Sequence, residues 1–366
     1  MHLPALDCVR GLAIALVLVH NISSNELRST LGQKLWGGFV EIGWIGVQLF
    51  FVLSGFLITG ILADDRARPH ALRFFYLRRA LRIFPLYYGF LLLYYVGLAP
   101  FFPALRAPFD RAIWYWLYLS NWTDITPGQW LPGLGHFWSL AVEEQFYLVW
   151  PWLVFGLGKR ALVRTCLVIA IGALVTRIAL VAVHVPPSSI YSWTITRADA
   201  LVIGALAALA VRSALWRTLL ARLGRPVTVG LLLVLGMIVL VTHGANRNNP
   251  LMQTVGYSVI ALLSALLVVK AAIAPQRSDA RAPRLMEFMA YLGRRGYALY
   301  VVHLPLKVVA RHFWGPQIQR VGDRWPVSTD VVLVLVVSAV SVVIAQVTWV
   351  ALELPFLSLK DRLAPR

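Results

Sequence analysis

Long apolar runs without charge set the strongest limit on what this chain can fold into. Val331–Ile344 contains no charged residue and no polar one beyond Ser338 and Ser341, and comparable runs recur along the sequence. A water-soluble fold would have to hide each of them completely, whereas a bilayer accepts an apolar helix of about 17–25 residues. With 59% hydrophobic and 14% charged residues and a mean hydropathy of +0.71, the 366-residue chain lies well outside the composition of ordinary soluble domains. The expected fold is an all-α membrane bundle.

Apolar windows bounded by arginine clusters or by Pro/Gly/Asn turns place helices near 5–22, 39–62, 83–99, 137–157, 161–184, 197–211, 226–242, 251–273, 297–312 and 329–353. That makes about ten transmembrane spans in one domain over residues 1–366, with no internal repeat and no soluble appendage. The stretch Arg111–Trp122 is aromatic and too short to cross, so it belongs at the interface or in a re-entrant segment. With the N-terminus in the cytoplasm, most of the 34 Lys and Arg residues fall on that side, in groups from Arg66 to Arg82, Lys159 to Arg164, Arg212 to Arg225, Lys270 to Arg295 and Lys360 to Arg366. This asymmetry favours both termini inside. The first apolar run lacks a basic leader segment and carries Arg10 and His20, so it reads as a retained helix rather than a secretory signal.

A net charge of +18 does not point to nucleic acid, because the basic residues sit in short clusters between apolar stretches, where juxtamembrane charge belongs. Cys8 and Cys166 have no metal-ligand spacing and no expected disulfide. No metal is called for.

The informative residues are polar groups inside apolar spans, since an ionisable group near the bilayer centre costs a few kcal/mol or more, of order 3 on insertion scales. His20 lies ten residues beyond Arg10, about 15 Å along a helix. An imidazole at that depth can serve as general base or nucleophile near neutral pH, or can simply hydrogen-bond across the bundle. Arg79 and Arg82 are three apart and share one helix face. Glu143 and Glu144 enter from the outer surface to a depth approaching His20, and one of them could orient its imidazole. Trp114, Trp116, Trp122, Trp130 and Trp138 crowd the outer side; most suit an interfacial belt, and some can stack on a sugar ring.

Several motifs follow one another in a fixed order. Leu6-Asp7-Cys8-Val9-Arg10-Gly11-Leu12-Ala13 with His20 comes first, then Phe50-Phe51-Val52-Leu53-Ser54-Gly55-Phe56-Leu57-Ile58, and then Phe75 to Pro85 with Arg78, Arg79 and Arg82. His136-Phe137-Trp138-Ser139-Leu140-Ala141-Val142-Glu143-Glu144-Gln145-Phe146-Tyr147 is the most specific. Arg197-Ala198-Asp199-Ala200-Leu201, Leu292-Gly293 through Tyr297 and Tyr300 to His303, and Glu353-Leu354-Pro355-Phe356 complete the series. Together these stretches resemble the acyltransferase-3 family of integral membrane O-acyltransferases over nearly the whole chain.

The resemblance implies transfer of an acyl group, acetyl by expectation, from cytoplasmic acyl-CoA to a hydroxyl of a saccharide or glycan on the outer side of a bacterial cytoplasmic membrane. It implies His20 as base or acyl carrier, with Glu143 and Glu144 supporting it, and Arg10, Arg79 and Arg82 on the acyl-CoA phosphates. Arg73 and Arg78 are left to the inside-positive charge pattern. Arg197, Asp199, Trp138 and His303 are the acceptor-side candidates, although Arg197 and Asp199 could equally form a local ion pair. One departure stands out: the family places ten residues between the arginine and histidine of the first helix, and this chain has nine. Ten helical steps leave the two side chains about 80° apart instead of about 20°, so either the helix is distorted or the two groups address different atoms. The rival reading is a transporter or flippase using buried His, Arg and Glu.

Cysteine labelling at six positions tests the topology. Arg66, Arg160, Arg217 and Arg281 should label from the cytoplasm, and Asn25 and Asn248 from outside. Labelling of Asn248 and Arg281 from one side would overturn the ten-span arrangement.

Overall fold

The structure is a computed structural model that describes residues 4–23, 30–106, 108–125, 130–274 and 283–363. Asn25, Arg277, Arg281 and Arg366, which carry part of the expected topology, lie outside the described residues. Among the described residues every regular element is a helix.

Helix α1 (Pro4–Ile22) starts on a proline, whose fixed φ and missing N–H suit a first helical turn. Helix α2 (Leu31–Ile42) is capped by Thr30: its hydroxyl accepts from Gln33 N, and the Gln33 amide oxygen accepts from Thr30 N, which satisfies two otherwise orphaned donors. Gly43 and Trp44 join it almost without interruption to α3 (Ile45–Asp64), so this span begins earlier than the sequence indicated. Helix α4 (Ala71–Leu92) also starts early and runs on through a π-helical turn, Leu93–Leu98. Arg78, Arg79 and Arg82 are therefore helical throughout. Helix α5 (Phe109–Trp116) has only 8 residues and cannot cross.

Helices α6 (Trp138–Gly156) and α7 (Lys159–Ala182) follow, then the short α8 (Pro187–Ser192) leading into α9 (Thr194–Ala210). Helix α10 (Ala214–Val241) keeps Pro226 inside it, where the sequence pattern had placed a helix start. A π-helical turn, Met252–Gly256, opens into α11 (Tyr257–Ile273). Helices α12 (Arg284–Arg294), α13 (Gly296–Arg324) and α14 (Pro326–Thr348) lead through a further π-helical turn, Trp349–Glu353, to α15 (Leu354–Leu363).

Among the described residues, 8 helical stretches are long and apolar enough to cross a membrane. The other two expected spans, α6 with 19 residues and α13 with 29, have the length but are more polar. Both contribute residues to the cavities described below.

Two backbone crossings hold the centre together. A Cβ on Gly55 of α3 would stand 1.8 Å from the Leu201 carbonyl oxygen of α9, and one on Gly204 would stand 2.1 Å from that of Val52. Likewise, Gly11 of α1 and Gly293 of α12 each leave a would-be Cβ 1.9 Å from the opposing carbonyl oxygens of Met289 and Asp7. In hydrocarbon, helices associate through such close packing of small residues, because lipid supplies no hydrophobic drive between them. At the periphery, α10 turns Leu233, Met237 and Leu240 outward.

A buried ion pair ties a third helix in. Arg177 of α7 lies 2.9 Å from Asp199 Oδ2, with side-chain exposures of 0% and 1%, and also donates to the Thr196 carbonyl and to Ser258 Oγ. Ser258 in turn donates to Asp199. The cluster spans α7, α9 and α11, and removing one partner of such a pair costs about 3–5 kcal/mol.

The crossing of α3 and α9 gives a direct test. Gly204→Val should abolish the monodisperse folded species in detergent size-exclusion chromatography. Gly236→Val should not, because a Cβ there meets nothing within 4 Å.

Candidate active site

The charged residues converge on two cavities toward opposite ends of α1. The first, about 120 Å³, is lined by Arg10 of α1, Ser54 of α3, Arg79 and Arg82 of α4, and Glu143 and Glu144 of α6. The second, about 280 Å³, is lined by His20 and Asn21 at the C-terminal end of α1 with Trp44, Trp130, His136 and Trp138. We call them the arginine cavity and the histidine cavity.

In the arginine cavity the basic residues divide into two kinds. Arg78 pairs with Asp65 at 2.9 Å, Arg68 with the same carboxylate at 3.4 Å, and Arg66 donates to the Leu157 carbonyl at 2.8 Å. These fasten the turn between α3 and α4. Arg79 and Arg82 form no ion pair among the described residues; the Arg79 guanidinium rests 4.7 Å from the Tyr147 ring centroid. Arg10 is held 3.0 Å from Asp7. Glu143 accepts from the Ser54 hydroxyl at 2.5 Å. Arg294, beside the close-packed Gly293, lines the cavity too; the sequence marked it only as part of the Lys270 to Arg295 basic group and as a neighbour of the Leu292-Gly293 motif.

In the histidine cavity, His20 Nδ1 lies 2.8 Å from the Val40 carbonyl oxygen. A carbonyl can only accept, so Nδ1 carries the proton and Nε2 keeps its lone pair. Nε2 points toward Arg247, whose Nη1 is 3.4 Å away. Neither Arg247 nor His136 was singled out as a site residue from the sequence. Arg247 lies in a loop that no motif covers. His136 opens the most specific motif, and its buried ring meets no hydrogen-bond partner in good geometry, although the Tyr300 and Val301 backbone is close.

Tyr300 and Val47 line both cavities and form the wall between them. The Tyr300 hydroxyl lies 2.5 Å from Ser139 Oγ and donates to the His136 carbonyl at 3.0 Å.

The sequence expectations are placed as follows. Arg10 and His20 sit on one uninterrupted α-helix and open onto different cavities, the second of the two outcomes that the nine-residue spacing allowed. Glu143 and Glu144 do not meet His20. The histidine sits in the last turn of α1, whereas the carboxylates lie about 8–9 Å along α6 from Trp138, at 1.5 Å per residue, level with Arg79 and Arg82. The orienting acceptor for His20 is the Val40 carbonyl. Asp199 pairs with Arg177, not Arg197. Arg197 is fully buried, donates to Gln48 at 2.6 Å, and lies under the Tyr257 and Tyr191 rings at 4.4 and 4.8 Å. Neither Arg197 nor Asp199 lines the two cavities; Arg197 instead supports Trp138 and Tyr191, which do. His303 is also fully enclosed: Nδ1 faces the Tyr300 carbonyl at 2.7 Å and Nε2 faces the Asn21 amide at 3.0 Å, so both nitrogens are engaged. Of the tryptophans, Trp130 and Trp138 line the histidine cavity, whereas Trp116 stacks on Tyr88 and Trp122 on Trp193. A larger cavity, about 460 Å³, lies apart from these groups around Asp330, which accepts from Trp36 at 2.7 Å. Among the described residues no His, Cys, Asp or Glu group is arranged to hold a metal.

The model of the acyltransferase domain of the acyltransferase-3 type matches residues 3–350. The chain belongs to that family. Its similar relatives include YrhL of Bacillus subtilis, provisionally named a peptidoglycan O-acetyltransferase, at 28% identity over 97% of this chain and 55% of the relative. The peptidoglycan O-acetyltransferase OatA of Listeria monocytogenes is 29% identical over 83% of this chain and 49% of its own length. The O-acetyltransferase OatA of Staphylococcus aureus is 26% identical over 86% and 52%. The chain thus spans about half the length of the curated relatives it matches. No solved structure matches it.

The unpaired arginines can be tested apart from membrane anchoring. Arg79→Lys and Arg82→Lys keep the positive charge and lose the planar fork. If these guanidinium groups hold the phosphates of an acyl-CoA donor, each change should weaken binding of that donor about tenfold or more, as loss of a charge-assisted hydrogen bond of about 1.5–3 kcal/mol would, with insertion unchanged. Equilibrium binding to the purified protein reads this directly, and unchanged affinity in both variants would leave these arginines with topology alone.

Proposed function

We propose that the protein is a membrane O-acyltransferase that takes an acyl group, acetyl in the first instance, from acyl-CoA and passes it to a saccharide hydroxyl. The donor would approach from the cytoplasm and the acceptor from the far side of a bacterial cytoplasmic membrane, with both termini inside. The observation that carries this reading is the pair of cavities toward opposite ends of α1, one presenting two unpaired guanidinium groups and the other a histidine lone pair, parted by Tyr300 and Val47. Family membership and the O-acetyltransferase names of the relatives support it.

On this reading Arg79 and Arg82, helped by Arg10, hold donor phosphates, for which guanidinium forks are suited. Glu143, fixed by Ser54, and Glu144 keep that cavity polar beside the thioester. Trp130 and Trp138 offer faces to the sugar. His20 Nε2 takes the proton of the acceptor hydroxyl as its oxygen attacks the thioester carbonyl. The new C–O bond forms, the C–S bond breaks, and the imidazolium returns its proton to the departing thiolate. The Val40 carbonyl, accepting from Nδ1–H, fills the orienting position that an acid holds in a catalytic triad. In the alternative route Nε2 attacks the thioester carbonyl and the C–S bond breaks with loss of thiolate; the acceptor oxygen then attacks the acyl carbon, the C–N bond breaks, and the freed Nε2 takes the hydroxyl proton and passes it to the thiolate. In either route Tyr300 has to swing aside for the acyl carbon to reach His20.

Purified protein supplied with radiolabelled acetyl-CoA and glycan acceptors tests the proposal, because a transporter moves substrate without putting label into glycan. His20→Asn keeps a hydrogen-bonding side chain of similar size and removes the base. It should lower transfer about 100-fold or more while acyl-CoA binding persists. Near-normal transfer by this variant would make His20 structural.

A further inference from the structure

Among the described residues, Arg247 is the one guanidinium lining the histidine cavity. It lies in the segment between α10 and α11, half-buried and next to the exposed Asn248, which places it at the mouth of the cavity. Its position is fixed: the Tyr257 hydroxyl donates to its carbonyl at 2.9 Å, and the Tyr191 ring lies under its guanidinium at 4.5 Å. Yet it forms no ion pair among the described residues, and the residues lining the cavity include neither Asp nor Glu. Glu41 lies near this turn, its Oε2 3.3 Å from where a Cβ on Gly244 would stand, and does not line the cavity. A guanidinium fork held rigidly beside a cavity whose described lining holds no acid is matched to a carboxylate brought by a ligand.

We infer that the acceptor is an acidic saccharide, and that Arg247 binds its carboxylate while His20 receives its hydroxyl. This rests on the histidine cavity being the acceptor site. The distance fits the assignment. Arg247 Nη1 and His20 Nε2 are 3.4 Å apart, and each would hold an oxygen at about 2.8 Å, so the two oxygens lie up to about 9 Å from each other. A carboxylate and a hydroxyl of one hexuronic acid ring fall within that range. The wall toward the donor is made by Tyr300 and Val47, not by Arg247. The guanidinium therefore meets what enters from the mouth, not the thioester oxygen that arrives through the wall.

The test compares a glucuronate-containing tetrasaccharide with the same tetrasaccharide after its carboxyl groups are reduced to hydroxymethyl groups. Equilibrium binding of both to the full chain in lipid nanodiscs is measured for the wild type, Arg247→Gln and Arg247→Lys. The wild type should bind the acid form at least tenfold more tightly, Arg247→Gln should bind the two forms alike, and Arg247→Lys should retain part of the preference. Equal affinity of the wild type for both forms, or binding of neither, overturns the inference. So does an Arg247→Gln protein that keeps the preference. Labelled acyl transfer is measured in parallel: a binding preference without transfer would count against the acyltransferase reading alone. A fall in transfer of equal size for both forms, with no change in their relative affinity, would move Arg247 to the reacting centre and overturn its assignment to the acceptor.

Discussion

Hydrocarbon offers no water to a charged side chain, so each guanidinium or carboxylate inside this bundle has to be satisfied by another part of the protein or by what the protein binds. Most of them are satisfied internally. Arg177, Asp199 and Ser258 form a closed cluster across three helices, Arg197 has Gln48 and a surround of aromatic rings, and Arg78 has Asp65. These contacts consume residues that would otherwise read as functional. At the cavities, and among the described residues, Arg79, Arg82, Glu144 and Arg247 form no ion pair, and His20 Nε2 faces Arg247 Nη1 at 3.4 Å. The distinction between framework and site in this protein is in part a distinction between charges closed into clusters and charges that face a cavity.

Much of the helical frame was legible in the sequence because apolar length is a strong, local signal. Boundaries were not. The start of α4 was placed too late because its first turns are rich in arginine, and the start of α10 because Pro226, normally a helix breaker, is accommodated within it. The site was legible by residue type but not by grouping. Glu143 was expected near His20 because both lie deep in their helices, but depth alone does not fix which cavity a side chain opens onto. Asp199 and Arg197 are neighbours in sequence and so invited pairing, while the true partner, Arg177, comes from a different helix and no spacing rule could have supplied it. Arg247 had no motif to mark it; only the surrounding geometry does.

The glycine crossings explain how such a site can be held still. Gly11 with Gly293 fixes α1 on α12 next to Arg10, and Gly55 with Gly204 fixes α3 on α9 next to Ser54. Backbone contact leaves little freedom for sliding or rolling, so the polar groups that flank each glycine inherit the precision of the crossing. Because α1 is unbroken from Arg10 to His20, the two cavities are also tied to a common rod about 15 Å apart.

The wall at Tyr300 has a consequence for the cell as well as for the reaction. Two polar hollows approaching from opposite ends of a helix would, if joined, amount to a water-filled pore, and a pore dissipates the ion gradients on which a living membrane depends. Here the separation is a layer containing one aromatic ring and one valine, latched through the Ser139 hydroxyl and the His136 carbonyl. On the proposed reading the barrier would give way to something the width of an acyl group and close behind it, so the same side chain would serve both as passage and as insulation.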